Sequence, residues 1–249
     1  MELFSYHLTI TELAIVGFVA MLVGMAKTGI HGLGMIAVPL LALVFGGKQS
    51  TGVMLIILSI ADVFAIIYYH RHAEWRHLIR LLPWAVVGVV IGTVVGEYIN
   101  DEQFRLFMGF VIIGSLVLMI WMERRGNSFL PEGRWFAILI GVLGGITTMV
   151  GNLAGSVMAI YLLVMKLPKN EYIGTAAWFF LLINWIKIPF HIWVWHTITW
   201  DSFRLDLLMI PLVALGAFLG YYLVRKIPDR KYRWFIIAMT FIAALAMIF

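Results

Sequence analysis

Cysteine is absent from the 249 residues, which removes disulfides, thiolate catalysis and iron–sulfur ligation together. Charge is scarce as well. Only 12% of the residues are Asp, Glu, Lys or Arg, against 63% hydrophobic, where a water-soluble domain is nearer one quarter charged. A soluble fold is all but excluded. No Ser–His–acid set and no zinc signature occurs. His70, His72 and His77 share a basic stretch in which Glu74 is the only acid close by, so neither a metal nor a cofactor is expected. Met1-Glu2-Leu3 has no basic region and no small-residue cleavage site, so no removable signal peptide is expected.

What is present is apolar chain. Ten segments can be drawn, at 8–26, 33–46, 50–69, 79–98, 104–122, 135–150, 153–165, 171–192, 205–224 and 232–248. Most approach the ~20 residues that cross a hydrocarbon core as a helix. With the N-terminus outside and the side reversing at each segment, 14 of the 18 basic residues fall on cytoplasmic connections, leaving Lys48, Arg105, Lys187 and Arg204. That is the positive-inside rule. It predicts that both termini are extracytoplasmic, and it accounts for the formal charge of +5 without a basic-seeking ligand. Trp193, Trp195 and Trp200 read as interface anchors, while Trp178 and Trp185 could instead wall a pathway.

The sequence repeats. Leu82-Pro83, Gly88, Gly92, Asp101, Phe104-Arg105 and Phe107 recur 128 residues later as Ile210-Pro211, Gly216, Gly220, Asp229, Tyr232-Arg233 and Phe235. At a spacing of 121, Gly24 falls on Gly145, His31 on Asn152 and Gly34 on Gly155; at 122, Gly52 falls on Gly174 and Asp62 on Asn184. An insertion of about six residues around 191–200 reconciles the registers. Five segments per half is an odd number, so the second half enters the membrane from the opposite side. The expected fold is an all-α polytopic membrane protein of two inverted repeats, 1–125 and 126–249, forming one integral membrane domain. Secondary transporters built this way hold their solute at the repeat interface near the midplane.

Segments 33–46 and 153–165 are too short to cross ~30 Å at ~1.5 Å per residue. Each follows a glycine-rich break, Gly29-Ile30-His31-Gly32-Leu33-Gly34 and Gly151-Asn152-Leu153-Ala154-Gly155. Both are expected to be broken or re-entrant helices at the repeat interface. Irregular backbone at that depth is tolerated only inside protein or along a polar cavity, and free N–H groups at a helix start favour an anion.

The polar residues around these breaks are the candidate site. Lys27 either snorkels to the cytoplasmic surface or faces the solute as counter-charge. Its setting, Gly24-Met25-Ala26-Lys27-Thr28-Gly29, lacks the glycine spacing and preceding strand of a phosphate loop. His31 either caps the broken backbone or meets the solute, and its reference pKa near 6.5 would also suit a coupled proton. Asn152 and Ser156 can satisfy backbone or bind oxyanion oxygens. Asp62, the only acid in its segment, is an ion-coupling candidate or a structural partner of Lys27. Its counterpart Asn184 cannot titrate. Lys187 lies one turn from Asn184 on the same face, as anion attractor or outer-surface lysine. Thr175 could cap its helix or reach the solute. Gly88, Gly92, Gly96, Gly216 and Gly220 read as close-packing positions.

Gly32-Leu33-Gly34-Met35-Ile36-Ala37-Val38-Pro39-Leu40-Leu41 resembles the first glycine-rich motif of the TauE/SafE family of sulfite and organosulfonate exporters. Met149 to Leu163, with Leu167-Pro168-Lys169-Asn170-Glu171-Tyr172-Ile173-Gly174-Thr175 and Asn184 to Phe190, is similar to the second motif of one branch of that family. Where many members carry further glycines and a proline after the second turn, this chain has Ser156 and Ile160. The resemblance implies a bacterial-type inner-membrane permease for small sulfur-containing or related organic anions, driven by an ion gradient. The partners expected are the lipid bilayer, a small anionic substrate and a coupled H⁺ or Na⁺. An anion channel is the alternative, and an intramembrane enzyme a more distant one, since no acid–base pair stands at helical spacing.

Overall fold

The structure is a computed structural model that describes residues 2–3, 6–30, 33–100 and 133–228, with separate positions between 102 and 117 and between 231 and 238. Most of the segments expected at 104–122 and 232–248, together with His31, lie outside the described residues. Two short strands, β1 (Glu2–Leu3) and β2 (Tyr6–His7), pair antiparallel. All other regular structure among the described residues is helical.

Helix α1 (Ile10–Lys27) starts on a capping box. Thr9 accepts from the Glu12 N–H and Glu12 accepts from the Thr9 N–H at 2.7 Å, which satisfies two orphan donors and places Glu12 in a cap. After a break come the short α2 (Leu33–Phe45), then α3 (Gly47–Tyr69) and α4 (Trp75–Tyr98). The later half provides α5 (Arg134–Gly151), the short α6 (Ala154–Val164) and α7 (Lys169–Trp193). Helices α8 (Trp200–Leu208) and α9 (Ile210–Arg225) follow, bent by 49° at Met209. Helices α1, α3, α4, α5 and α7 are long and apolar enough to cross a membrane, and α8 with α9 does so as a bent pair. The protein is a multi-pass helical membrane protein. The single segment expected at 205–224 is two helices: Thr199 caps α8 separately, and Pro211 sits in the first turn of α9, where a missing N–H costs least.

Helices α3 and α7 pack together at the centre. The apolar span of α3 is 72% buried, against 39% for α4. The outer helices pair off, α1 with α9 and α4 with α5. A Cβ on Gly24 would lie 2.7 Å from the Ala217 nitrogen and closer still to the Val213 carbonyl, while one on Gly216 would strike Met21. In the other pair, a Cβ on Gly145 would lie 2.8 Å from Gly88 Cα and closer still to the Ala85 carbonyl, and one on Gly88 would strike Val142. These contacts map onto each other at the spacings of 121 and 128. Met21 goes to Val142, Gly24 to Gly145, Ala85 to Val213 and Gly88 to Gly216. In lipid, where apolar surface gains nothing by leaving the solvent, such glycine faces let backbones approach for van der Waals contact.

The tryptophans divide. Trp193 and Trp200 are exposed, as anchors should be. Trp195 is buried and donates from Nε1 to the Thr93 carbonyl at 3.1 Å, with its ring packed over Gly96. It locks the α7–α8 loop onto α4 and is no anchor.

Candidate functional site

The two breaks in the helices are built differently. After Lys27, Thr28 is fully buried and returns its hydroxyl to the Gly24 carbonyl at 3.0 Å. Gly29 takes φ of 134°, a region that favours glycine. The carbonyls this leaves exposed are met by tyrosines: Tyr69 donates to Thr28 at 3.4 Å and Tyr232 to Gly29 at 2.7 Å. In the later break Asn152 adopts the left-handed conformation, φ 56° and ψ 27°, and closes α5. The N–H groups of Asn152 and Leu153 return to Thr148 and Thr147, a glycine-type helix stop made with asparagine. Among the described residues, the non-helical backbone at both breaks thus finds partners inside protein, as membrane depth demands.

Residues flanking the first break and residues of the second line one cavity. Its lining includes Lys27 and Gly34 from the first half and Asn152, Leu153 and Gly155 from the second, with Thr148 and Asn184 as further polar groups. Met54, Leu58, Ala176, Ala177 and Phe180 provide apolar wall. A Cβ added to Gly155 would meet nothing within 4 Å, so the first turn of α6 faces open space. The cavity measures about 60 Å³, several times the ~10–15 Å³ that one water needs on the same measure.

A chain of polar contacts runs behind this wall. Lys27 Nζ lies 2.8 Å from Asp62 Oδ1 and 3.9 Å above the Phe180 ring centre. The Asp62 side chain is fully buried and that of Lys27 is 11% exposed, so Lys27 does not snorkel to the surface. Asn184 Nδ2 donates to Asp62 Oδ2 at 2.7 Å. The residues equated by the 122 spacing therefore touch. Lys187 is fully buried and is not an outer-surface lysine. It donates to Asn152 Oδ1 at 2.5 Å, Thr148 Oγ1 at 3.2 Å and Asn184 Oδ1 at 3.4 Å. The orientation of both amides is set by their other bonds, Asn184 to Asp62 and Asn152 Nδ2 to the Thr51 carbonyl at 3.0 Å.

Of the sequence candidates, Lys27, Asp62, Asn152, Asn184 and Lys187 thus form one group at the cavity. Ser156 is buried one turn away and returns its hydroxyl to the Leu153 carbonyl at 3.2 Å, the backbone-satisfying role. Thr175 lies elsewhere: it accepts from the Glu74 N–H at 2.9 Å, tying α7 to the start of α4. Trp178 packs at a tilt against Trp75, ring centres 5.2 Å apart, Trp185 is exposed, and neither lines the cavity. Among the described residues no three His, Asp or Glu side chains converge to hold a metal. Phe180 and Thr148 had not been singled out. Phe180 precedes Asn184 by four residues, and Thr148 is the 121-register mate of Lys27, so both carried a signal.

A multi-pass helical protein in which two helix breaks flank one cavity lined by Lys27, Thr148, Asn152 and Asn184 has the build of a membrane transporter. The chain belongs to the sulfite exporter TauE/SafE family, whose sequence pattern it matches over residues 13–247; this is a family of membrane transporters and not of enzymes. The chain is also similar to the probable membrane transporter protein MamO of Magnetospirillum gryphiswaldense, at 24% identity over 205 residues, and to that of Paramagnetospirillum magneticum, at 20%. Each alignment covers 63% of this chain and 31% of the relative, so the matched region spans about a third of the length of these curated relatives.

Proposed function

We propose that the chain carries a small anion, such as sulfite, another sulfur oxyanion or an organosulfonate, across a bacterial-type inner membrane. The observation that supports this best is the set of ionisable groups around the cavity, a nearly buried Lys27 and a buried Lys187 against one buried carboxylate. Intramembrane ionisable groups are costly and mark solute pathways. A surplus of positive charge beside apolar wall suits a small solute with a negative head. Alternating access would be carried by two inverted repeats, 1–125 and 126–249, that meet at the α3–α7, α1–α9 and α4–α5 contacts. The pairing of the glycine crossings, each joining a helix of one half to a helix of the other in equivalent registers, supports that division. Lys27, Lys187, Asn152 and Asn184 would meet the solute, with His31 at the neighbouring break. Of the two ion-coupling candidates, Asp62 reads as the fixed counter-charge of Lys27, because both its oxygens are engaged.

Purified protein in liposomes should support saturable counterflow of labelled sulfite, taurine or methanesulfonate. Lys187→Met, shown to be folded, should lose most of it. A folded wild-type protein that moves none of these anions would refute the proposal.

A further inference from the structure

The three N–H bonds of the Lys187 ammonium are matched by three acceptor oxygens, all on neutral groups: Asn152, Thr148 and Asn184. Asn152 and Asn184 have to present oxygen there, because their NH₂ groups are already committed to Thr51 and Asp62. An ammonium, with three donors and no acceptor, can serve all three when the Thr148 hydroxyl accepts. Its carboxylate neighbour is taken: Asp62 pairs with Lys27 at 2.8 Å and reaches Lys187 only through Asn184. Among the described residues that line the cavity or bond to its lining side chains, Lys27, Asp62 and Lys187 are the ionisable ones. The Lys27–Asp62 pair is neutral as a unit. Protonated, Lys187 is a buried cation with no counter-ion of its own among these groups, a costly state that an opposite charge relieves.

We infer that Lys187 is protonated in the carrier and carries the one uncompensated charge among the described residues of the empty site, that the solute is taken as a monoanion which neutralises it, and that the membrane potential drives transport by acting on the return of the empty carrier. This rests on the anion-carrier reading above. An empty site of charge +1 moves through the membrane field between its two faces, whereas the loaded site is neutral and moves freely. An inside-negative potential then draws the empty site inward, where it loads, and the neutral complex carries the anion out. Net efflux needs no coupling ion. At 100 mV a full elementary charge crossing the whole field shifts the balance of the two empty states by roughly 50-fold; a site crossing part of the field is shifted proportionately less in logarithm.

The test uses the full chain in liposomes with labelled methanesulfonate as probe, at pH 8. A potassium gradient with valinomycin sets the potential. Net efflux should rise several-fold as the interior is made negative. Exchange with saturating methanesulfonate on both sides, which uses only the loaded form, should proceed at the same rate at 0 and −100 mV. Divalent sulfate should not compete. Exchange that changes several-fold with voltage, or efflux that ignores voltage, would overturn the charge assignment while leaving the carrier reading intact. No exchange of methanesulfonate, sulfite or taurine at any voltage would overturn the carrier reading and this inference with it. Lys187→Gln, where folded and active, leaves the loaded site at −1, so its exchange should become voltage-sensitive. The wild-type comparison decides the matter even where that variant fails to fold.

Discussion

Replacing Lys27 by Met leaves Asp62, fully buried, with the Asn184 amide at 2.7 Å as its one remaining hydrogen-bond partner. Breaking a buried ion pair from one side costs about 3–5 kcal/mol, because the remaining charge is stranded. Two features pull toward the lower end. Lys27 is 11% exposed, so water reaches the vacated position, and Lys187 stands on the far side of Asn184 and compensates part of the carboxylate. We expect Lys27→Met to lose about 3 kcal/mol. The double variant Lys27→Met/Asp62→Asn removes both charges and keeps an oxygen for Asn184 to donate to. Its remaining cost is one unsatisfied amide group, about 1–2 kcal/mol, so it should recover at least a third of the loss. The assay is reversible unfolding in mixed micelles, followed by tryptophan fluorescence. The reasoning fails if Lys27→Met alone falls within about 0.5 kcal/mol of wild type, or if the double variant is no more stable than the single one.

Other outcomes follow from the same contacts. Gly145→Ala and Gly216→Ala each drive a methyl into a facing backbone and should cost about 1–3 kcal/mol or more in that unfolding assay, as overpacking does. Gly155→Ala meets nothing within 4 Å; it should unfold like wild type but lower anion flux, because the methyl enters the cavity. Thr175→Val removes the acceptor of the Glu74 N–H and should cost about 1–3 kcal/mol while leaving the KM of flux unchanged, which would separate it from the solute group. Trp195→Phe keeps a ring over Gly96 but loses the bond to Thr93, and should cost about 1 kcal/mol in unfolding.

The helices and the short arms were legible because apolar length and glycine-rich breaks are local features. Segment 33–46 corresponds to α2 and 153–165 to α6 within two residues. The registers at 121 and 128 carried more than expected. They identified Gly24, Gly145, Gly88 and Gly216 as equivalent, and these glycines form matching close crossings. Spacing could not reveal that Asp62 and Asn184 touch each other, since equivalence in a repeat does not imply contact unless both lie where the halves meet. Lys187 was ambiguous for a related reason: its burial depends on the left-handed turn at Asn152, which brings an oxygen to it from another helix. Trp195 was misread because loop tryptophans are usually anchors, and its partner Thr93 lies 102 residues away. The partner of Thr175 is as remote, its hydroxyl accepting a backbone N–H from Glu74, 101 residues away.

Because the chain has no cysteine, a single thiol reports one position without background. Ala177 lines the cavity and is 2% exposed. In Ala177→Cys, the negatively charged reagent 2-sulfonatoethyl methanethiosulfonate should modify the thiol, and saturating methanesulfonate should slow the reaction at least tenfold. A lipid-facing thiol in Leu215→Cys should show no such protection. A cavity thiol that never reacts, or that reacts at the same rate with and without the anion, would contradict the claim that this cavity is where the solute binds.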